Sequence, residues 1–308
     1  MREIVVISGK GGTGKTSVTA AFAHLAAREP GGAMLCDLDV DAPDLHLLLG
    51  PDLAETHEFR SGHEAVIDPA ACTNCGLCAG MCRFGAVRSG PRAHSVDALR
   101  CEGCMVCVRF CPAGAIEFRE RLCGRWHASG TRLGPMIHAQ LFPGQENSGR
   151  LVALLKKEAR ERAQALDIPL MLCDGAPGIG CPVISSLSGA SLAAIVTEPT
   201  PSGLHDLLRV AELCAHFRIP AAVLVNKFDL NPGRSEEIEA VCRERGVALL
   251  GRLPHDETVV RAMAHGRCVT ELPESPVSLA LTQAWAKLSE MSRGASPRST
   301  PFINLQHA

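Results

Sequence analysis

The sequence has no apolar run near the ~20 residues that a bilayer-spanning helix needs. It also has no surplus of one charge: 31 Lys and Arg stand against 33 Asp and Glu, a formal net charge of −2. The first lack argues against a membrane protein. The second argues against a broad basic face, so nucleic acid is not expected as a partner. No secretory segment is expected either, because residues 1–8 read directly as a strand. The stretch 294–308 is Ser- and Pro-rich with no basic amphipathic pattern; it reads as a disordered tail that offers a membrane nothing to hold.

What is present is an ordinary globular composition, 46% hydrophobic and 21% charged over 308 residues, enough for one large domain or two modest ones. The exception is cysteine. There are fifteen, and eight of them fall in two tight groups. Disulfide scaffolds are mostly short secreted chains. In a chain of this length the expectation is a reducing cytoplasm and metal-bound thiolates.

The stretch that organises the rest is Ser8-Gly9-Lys10-Gly11-Gly12-Thr13-Gly14-Lys15-Thr16, followed by Ser17. An apolar run, Ile4 to Ile7, precedes it, and a helical pattern from Ser17 to Arg28 follows. Gly9 to Thr16 fits the phosphate loop G-x-x-x-x-G-K-[ST]. Glycines let the backbone turn its N–H groups towards phosphate oxygens, and the start of the helix adds positive dipole. Lys15 is expected at the β- and γ-phosphates, and the Thr16 hydroxyl on Mg²⁺. Further on, the strand Ala33–Cys36 ends in Asp37-Leu38-Asp39-Val40-Asp41-Ala42-Pro43-Asp44. Carboxylates at a strand's carboxyl end lie where an open α/β sheet binds ligands; they can hold Mg²⁺ or orient water. Asp44 also reads as the cap of the next helix. A second apolar strand, 168–173, ends in Asp174-Gly175-Ala176-Pro177-Gly178, which places another carboxylate at the same edge.

The pattern G-K-G-G-x-G-K-T resembles the loop of the MinD/Mrp/ParA and nitrogenase iron-protein group of ATPases. The resemblance implies that Lys10 crosses a dimer interface to the partner's nucleotide and stabilises the transferring phosphoryl group. It implies that Asp39 positions the attacking water, with Asp41 the second choice, while Asp37 supports the metal. It implies that Asp174 binds Mg²⁺ through water and that Gly178, in a switch loop, senses the γ-phosphate. The strand 221–225 ends in Asn226-Lys227-Phe228-Asp229. N-K-x-D reads guanine in many GTPases, yet in the MinD group the asparagine reads the adenine edge. ATP is expected over GTP. Gly251 to Asp256, with Pro254, resembles the segment that closes the base pocket in the same group.

From about Ser61 the character changes. Cys72-x2-Cys75-x2-Cys78-x3-Cys82 is followed by Cys101-x2-Cys104-x2-Cys107-x3-Cys111-Pro112. The second run is the C-x2-C-x2-C-x3-C-P signature of bacterial ferredoxins; the first has Arg83 in place of the proline. The halves repeat at an offset of 29: Ile67-Asp68 answers Val96-Asp97, and Gly85-Ala86-Val87 answers Gly114-Ala115-Ile116. The stretch resembles a two-cluster bacterial ferredoxin. In that pattern the fourth cysteine of each run serves the other cluster. The expected ligand sets for two [4Fe–4S] clusters are therefore Cys72, Cys75, Cys78 and Cys111, and Cys101, Cys104, Cys107 and Cys82. Zinc is the alternative, and it prefers paired C-x2-C hooks. Cys123 and Cys181 read as structural, although Cys181, beside the switch loop, leaves a coupling role open.

Ser148 reads as the cap of a helix through Leu166, with Leu151, Leu155 and Ala159 on its apolar face and Lys156, Lys157, Glu158 and Arg160 elsewhere. A helix at about Pro276 to Arg293 is expected to bury Leu279, Leu281 and Trp285. The expected fold is α/β, a doubly wound, mainly parallel sheet of P-loop NTPase type, with an inserted α+β ferredoxin-like domain. Its parts are 1–60 and 126–293 for the nucleotide domain, 61–125 for the insert and 294–308 for the tail. The whole resembles ferredoxin-containing MinD-type proteins. The resemblance implies an ATPase whose ATP-dependent dimer, with itself or a related ATPase, gates electron transfer or cluster assembly on an unidentified redox or metallocluster protein. An Mrp-like cluster carrier and a MinD-like positioning ATPase are the alternatives. A cobyrinate-synthase type of amidotransferase shares the loop but leaves no room for a glutaminase domain.

Overall fold

The computed structural model describes residues 1–272 and 275–294. The chain begins with β1 (Arg2–Ser8), α1 (Lys15–Ala26), β2 (Met34–Asp37), α2 (Leu45–Leu49) and β3 (Asp52–Ile67). The cysteine-rich stretch holds α3 (Leu77–Met81), β4 (Val87–Arg88), β5 (Ser95–Val96) and α4 (Val106–Arg109). Then come β6 (Ile116–Thr131), β7 (Gly134–Leu141), α5 (Ser148–Ala165), β8 (Leu170–Pro177), α6 (Cys181–Leu187) and β9 (Leu192–Thr197). The last elements are α7 (Pro201–His216), β10 (Ala221–Asn226), α8 (Pro232–Glu244), β11 (Ala248–Leu253), α9 (Glu257–Ala264) and α10 (Pro276–Gly294).

Two compact units emerge. Among the described residues, one comprises 1–56, 126–140, 148–272 and 275–294; the other comprises 57–125 and 141–147. The second unit thus begins at His57 and takes in 141–147, a segment the sequence reading assigned to the nucleotide domain.

In the first unit the strand order is β11-β10-β9-β1-β8-β2-β7. Six neighbouring pairs from β11 to β7 are parallel. Their central residues are apolar, as strands covered on both faces require: Ile4 to Ile7, Leu192 to Val196 and Ala222 to Val225 are all buried. One face packs on Phe22, Leu25, Leu281 and Trp285, with the Phe22 and Trp285 rings 5.3 Å apart. The helices that return the chain are capped by their own sequence. Thr200 accepts the Gly203 N–H ahead of Pro201, Asn231 accepts the Arg234 N–H ahead of Pro232, and Asp256 accepts the Thr258 N–H.

Two expectations are corrected. In α10 the buried stripe runs through Val277, Leu281, Ala284, Trp285 and Leu288, and Leu279 is 58% exposed. Leu279 lies two residues from both Val277 and Leu281, so on a helix it faces away from them. In α5, Lys156 is buried, not solvated: its ammonium pairs with the buried Glu3 at 2.5 Å and donates to the carbonyls of Ser186 and Ser188. Arg160 shares Glu3 at 2.8 Å. The tail, expected over 294–308, lies from residue 295 on outside the described residues. No helix among the described residues is long and apolar enough to cross a membrane.

The second unit renders the sequence repeat in space. The Asp68 N–H donates to the Ala115 carbonyl and the Asp97 N–H to the Ala86 carbonyl, so each half's strand start is bonded to the other half. Gly76 and Met105, at matching places, both adopt φ near 70–80° (79° and 68°), and Gly85 and Gly114 adopt 61° and 60°. The short core beneath consists of Ala65, Ile67 and Ile116, with Cys72, Cys78, Cys101, Cys107 and Cys111 packed against it.

Candidate functional site

The loop Gly9–Gly14 joins β1 to α1. The helix starts at Lys15 with no side-chain cap on its first N–H groups, which leaves them available to an anion. Gly14 has φ 89°, and a Cβ there would stand 2.4 Å from the Asn226 amide nitrogen; both facts demand glycine. The Thr13 hydroxyl is buried without a partner among the described residues. Gly11 and Gly12 have open space around them, and the Gly178 N–H (φ 90°) donates to the Ser8 carbonyl at 2.8 Å, which ties the end of β8 to the start of the loop.

Behind the loop three carboxyl groups surround Lys15. Register pairs Asp37 of β2 with Asp174 of β8. Lys15 Nζ lies 2.9 Å from Asp174 and 3.4 Å from Asp39. Thr16 and Thr19, one turn apart on α1, donate to the two oxygens of Asp174 at 2.7 and 2.8 Å. Asp37 accepts the N–H groups of Asp39 and Leu45 at 3.1 and 3.2 Å. It therefore does the helix-capping that Asp44 was expected to do: Asp44 sits at the N-cap of α2 with no side-chain cap bond.

Burial pushes the Asp37 carboxyl well above the usual carboxylate range, helped by Asp174 and opposed by Lys15. Burial raises Asp39 too. For Lys15, burial pulls downward, but Asp174, Asp39 and Asp37 outweigh it and hold the ammonium above its ordinary value. Three carboxylates against one ammonium leave negative charge in a dry place, with the Thr16 hydroxyl beside it. That oxygen-rich donor set suits a hard divalent cation such as Mg²⁺. Asp41 is exposed on the turn, apart from this group.

At the other end of the loop, Asn226 donates from its amide to the Thr13 carbonyl at 2.8 Å and accepts the Lys227 N–H at 3.0 Å. Asp229 accepts the His255 N–H at 2.7 Å, which fastens the Pro254 segment to the Asn226–Asp229 turn. Ser17 donates to the Met263 sulfur of α9 at 3.4 Å. Lys10 is 2.6 Å from Glu198 and also meets Thr200 and Ser202 at 3.3 and 3.1 Å. Lys227 shares Glu198 at 3.4 Å.

The second unit holds two hollows. One is lined by Cys72, Cys75, Cys78 and Cys111, the other by Cys82, Cys101, Cys104 and Cys107. Ten of the twelve lining residues of each hollow have a counterpart in the other at the repeat offset of 29. The Ala86 and Ala115 N–H groups donate to the Cys82 and Cys111 sulfurs, each at 3.4 Å. Burial opposes it, but N–H groups of Ala86, Phe84, Val87 and Gly85 hold the Cys82 thiol below its ordinary value. Burial, then the neighbouring Cys101 and Cys104, push the Cys107 thiol up; four thiolates repel until something cationic sits among them. Among the described residues no three His, Cys, Asp or Glu side chains converge on a point as a site for a single ion. A cubane spreads its four thiolates around a core, and the all-thiol donor sets, apolar walls and N–H···S bonds fit one. Cys123 is buried, its thiol donating to the Ser61 carbonyl at 3.2 Å, while Cys181 is exposed at the start of α6.

Three residues escaped the sequence reading. Thr19 had a signal, its place one turn after Thr16. Glu198 had only its position at the end of a buried strand. His94 had the repeat register, which pairs it with Ala65.

Residues 4–269 match the family described as the CobQ/CobB/MinD/ParA nucleotide binding domain. An uncharacterised protein of Methanocaldococcus jannaschii is 35% identical over 231 residues, 74% of this chain and 79% of the relative. A cytosolic Fe-S cluster assembly factor, the Nubp1 homolog of Drosophila ananassae, is 22% identical over 296 residues, 89% of this chain and 77% of the relative. Among solved structures, the septum site-determining protein MinD of Pyrococcus horikoshii, complexed with Mg-ADP, superposes with a TM-score of 0.56 at 16% identity, covering 96% of this chain and 99% of that one. At that identity the likeness is one of fold.

Proposed function

The chain belongs to the CobQ/CobB/MinD/ParA nucleotide-binding family, and on that premise we propose that it is an ATPase with two resident [4Fe–4S] clusters, in which an ATP-dependent dimer gates electron transfer or metal-cluster assembly on a partner protein. The observation that carries the reading is the pair of hollows, each lined by three cysteines of one run and the fourth of the other. Beside them in sequence stands a phosphate loop whose buried lysine is already surrounded by carboxylates.

The roles we infer combine the family resemblance with the positions of these side chains. The N–H groups of Gly9 to Thr16 and the open start of α1 cradle the phosphates, and Lys15 turns from Asp174 and Asp39 to the β- and γ-phosphates. Thr16, with Asp174 and Asp37 behind it, holds Mg²⁺. Asp39 orients the attacking water, and Lys10 crosses to the nucleotide of the second protomer. Asn226 reads the base, which Pro254 covers. Cys72, Cys75, Cys78 and Cys111 hold one cubane and Cys82, Cys101, Cys104 and Cys107 the other; such groups supply one-electron transfer. Gly178, bonded to Ser8, reports the γ-phosphate to α6 and onward to Lys156 and Glu3. The second protomer is another copy or a related ATPase.

A second reading, cluster delivery without a redox role, draws on the likeness to the Drosophila cluster assembly factor. Permanent clusters titrate reversibly and stay put beside an apo-acceptor, whereas cargo leaves.

The test is anaerobic purification with iron, sulfide and zinc analysis, followed by sedimentation with and without an ATP analogue, on the wild type and Lys15→Ala. Wild type is expected to carry iron and sulfide in the ratio two cubanes require and to dimerise with nucleotide; Lys15→Ala keeps the metal and stays monomeric. Zinc without sulfide, or normal hydrolysis by Lys15→Ala, would falsify the reading.

A further inference from the structure

The two hollows repeat each other, so their differences stand out. Ile67 in the first answers Val96 in the second, Ala115 answers Ala86, and Ile116 answers Val87. At one matching pair an imidazole stands against a methyl group. His94 lines the first hollow, and Ala65, at the same place in the repeat, lines the second. His94 is only 7% exposed, and among the described residues neither of its ring nitrogens has a hydrogen-bond partner. Buried polar atoms are nearly always paired, because an unpaired one forfeits its hydration without return. A neutral imidazole carries one N–H donor, and the acceptors expected in that hollow are the sulfurs of a cubane and its thiolates.

We propose that His94 is the positioning residue that sets the two clusters apart: its imidazole N–H hydrogen-bonds a sulfur of the group held by Cys72, Cys75, Cys78 and Cys111 and raises that group's reduction potential above that of its twin. The inference rests on the resident clusters argued above. Its physical basis is that a hydrogen bond to sulfur favours the form with more negative charge, which is the reduced one. A second matching pair acts in the same direction. Thr73 lines the first hollow where Glu102 lines the second, and a carboxylate beside a cluster disfavours the added electron. An electron shared by the two groups therefore rests at the one beside His94.

The experiment is an anaerobic redox titration of the loaded protein followed by EPR, on the wild type, His94→Leu and Glu102→Gln. Wild type resolves two couples. His94→Leu lowers the higher couple alone, by on the order of tenfold in the reduced-to-oxidised ratio, or about 59 mV for one electron. Glu102→Gln raises the lower couple alone. As a measurement that needs no variant, isotope-labelled histidine in the wild type gives a weak nitrogen hyperfine coupling at the more easily reduced cluster. If His94→Leu does not load, that coupling decides alone. Couples that do not move in His94→Leu, a shift of the lower couple instead, or no histidine coupling overturns the proposal. If the wild type holds no iron and sulfide, the cluster reading itself has failed and this inference goes with it; a loaded protein with unmoved couples sinks this inference only.

Discussion

Lys10 Nζ stands 2.6 Å from a carboxylate oxygen of Glu198, in the same chain, with the two side chains 31% and 16% exposed. The lysine expected to serve a second protomer is thus held at home. Burial opposes the ionised form of Glu198, but hydrogen bonds and charge from Lys10, then from Lys227, keep its carboxyl below the usual range. To reach a partner's phosphates Lys10 must leave this carboxylate. The two arrangements compete, and Glu198 sets the balance between them.

Glu198→Gln keeps the shape and removes the charge that retains Lys10. A partly exposed ion pair is worth about 1 kcal/mol or less, so nucleotide-bound dimer is expected at roughly fivefold lower protein concentration. Sedimentation in a non-hydrolysable ATP analogue measures this, with Lys227→Gln as the control that frees the other lysine. A dimer no tighter than wild type would show that Glu198 does not compete for Lys10.

Asp39 reaches Lys15 at 3.4 Å and is 14% exposed, whereas Asp37 and Asp174 are wholly buried and engaged by backbone and hydroxyl donors. Of the three it is the one free to face water. Asp39→Asn is expected to slow ATP hydrolysis by about 10²-fold or more while nucleotide binding persists. Steady-state turnover set against calorimetric affinity checks both halves. Unchanged turnover would move the water-orienting role elsewhere, with Asp41 next to be substituted.

His138 on β7 is buried, its ring nitrogen 2.9 Å from the Ser129 hydroxyl, with the rings of His127 and His46 at 5.0 and 5.9 Å. Burial first, then those two neighbours, push its pKa down to about 4. The unfolded chain takes up a proton near pH 6.5 that the folded chain refuses until about pH 4, so stability drains away as pH falls through that window, by about 3 kcal/mol at most. Denaturation midpoints at several pH values should fall accordingly, and His138→Gln should flatten the slope. An equal slope in the variant would assign the acid sensitivity to other groups.

Local sequence carried the elements whose physics is local. A run such as Ile4-Val5-Val6-Ile7, apolar without alternation, can only be a strand covered on both faces, and the glycines after it can only be a tight turn. The parallel sheet and the family followed from that order. Side-chain partnerships at long range were not legible. Lys156 looks like a solvated helix lysine until Glu3, from the other end of the chain, is set beside it. Asp44 has the better local claim to cap α2, yet Asp37 reaches the Leu45 N–H because β2 ends directly beneath it.

The sequence alone determined the phosphate loop and the doubled cysteine runs, because fixed spacing along a backbone is enough to specify a turn or a set of thiols. It also determined the pairing of repeat halves, since an offset is countable. Only the folded chain decided that Lys10 rests on Glu198, that Asp39 is the exposed member of the carboxylate trio, and that His94 looks into one hollow where Ala65 looks into the other. Each of those depends on which groups are denied water, and burial is a property of the packed whole, which no stretch of residues possesses by itself.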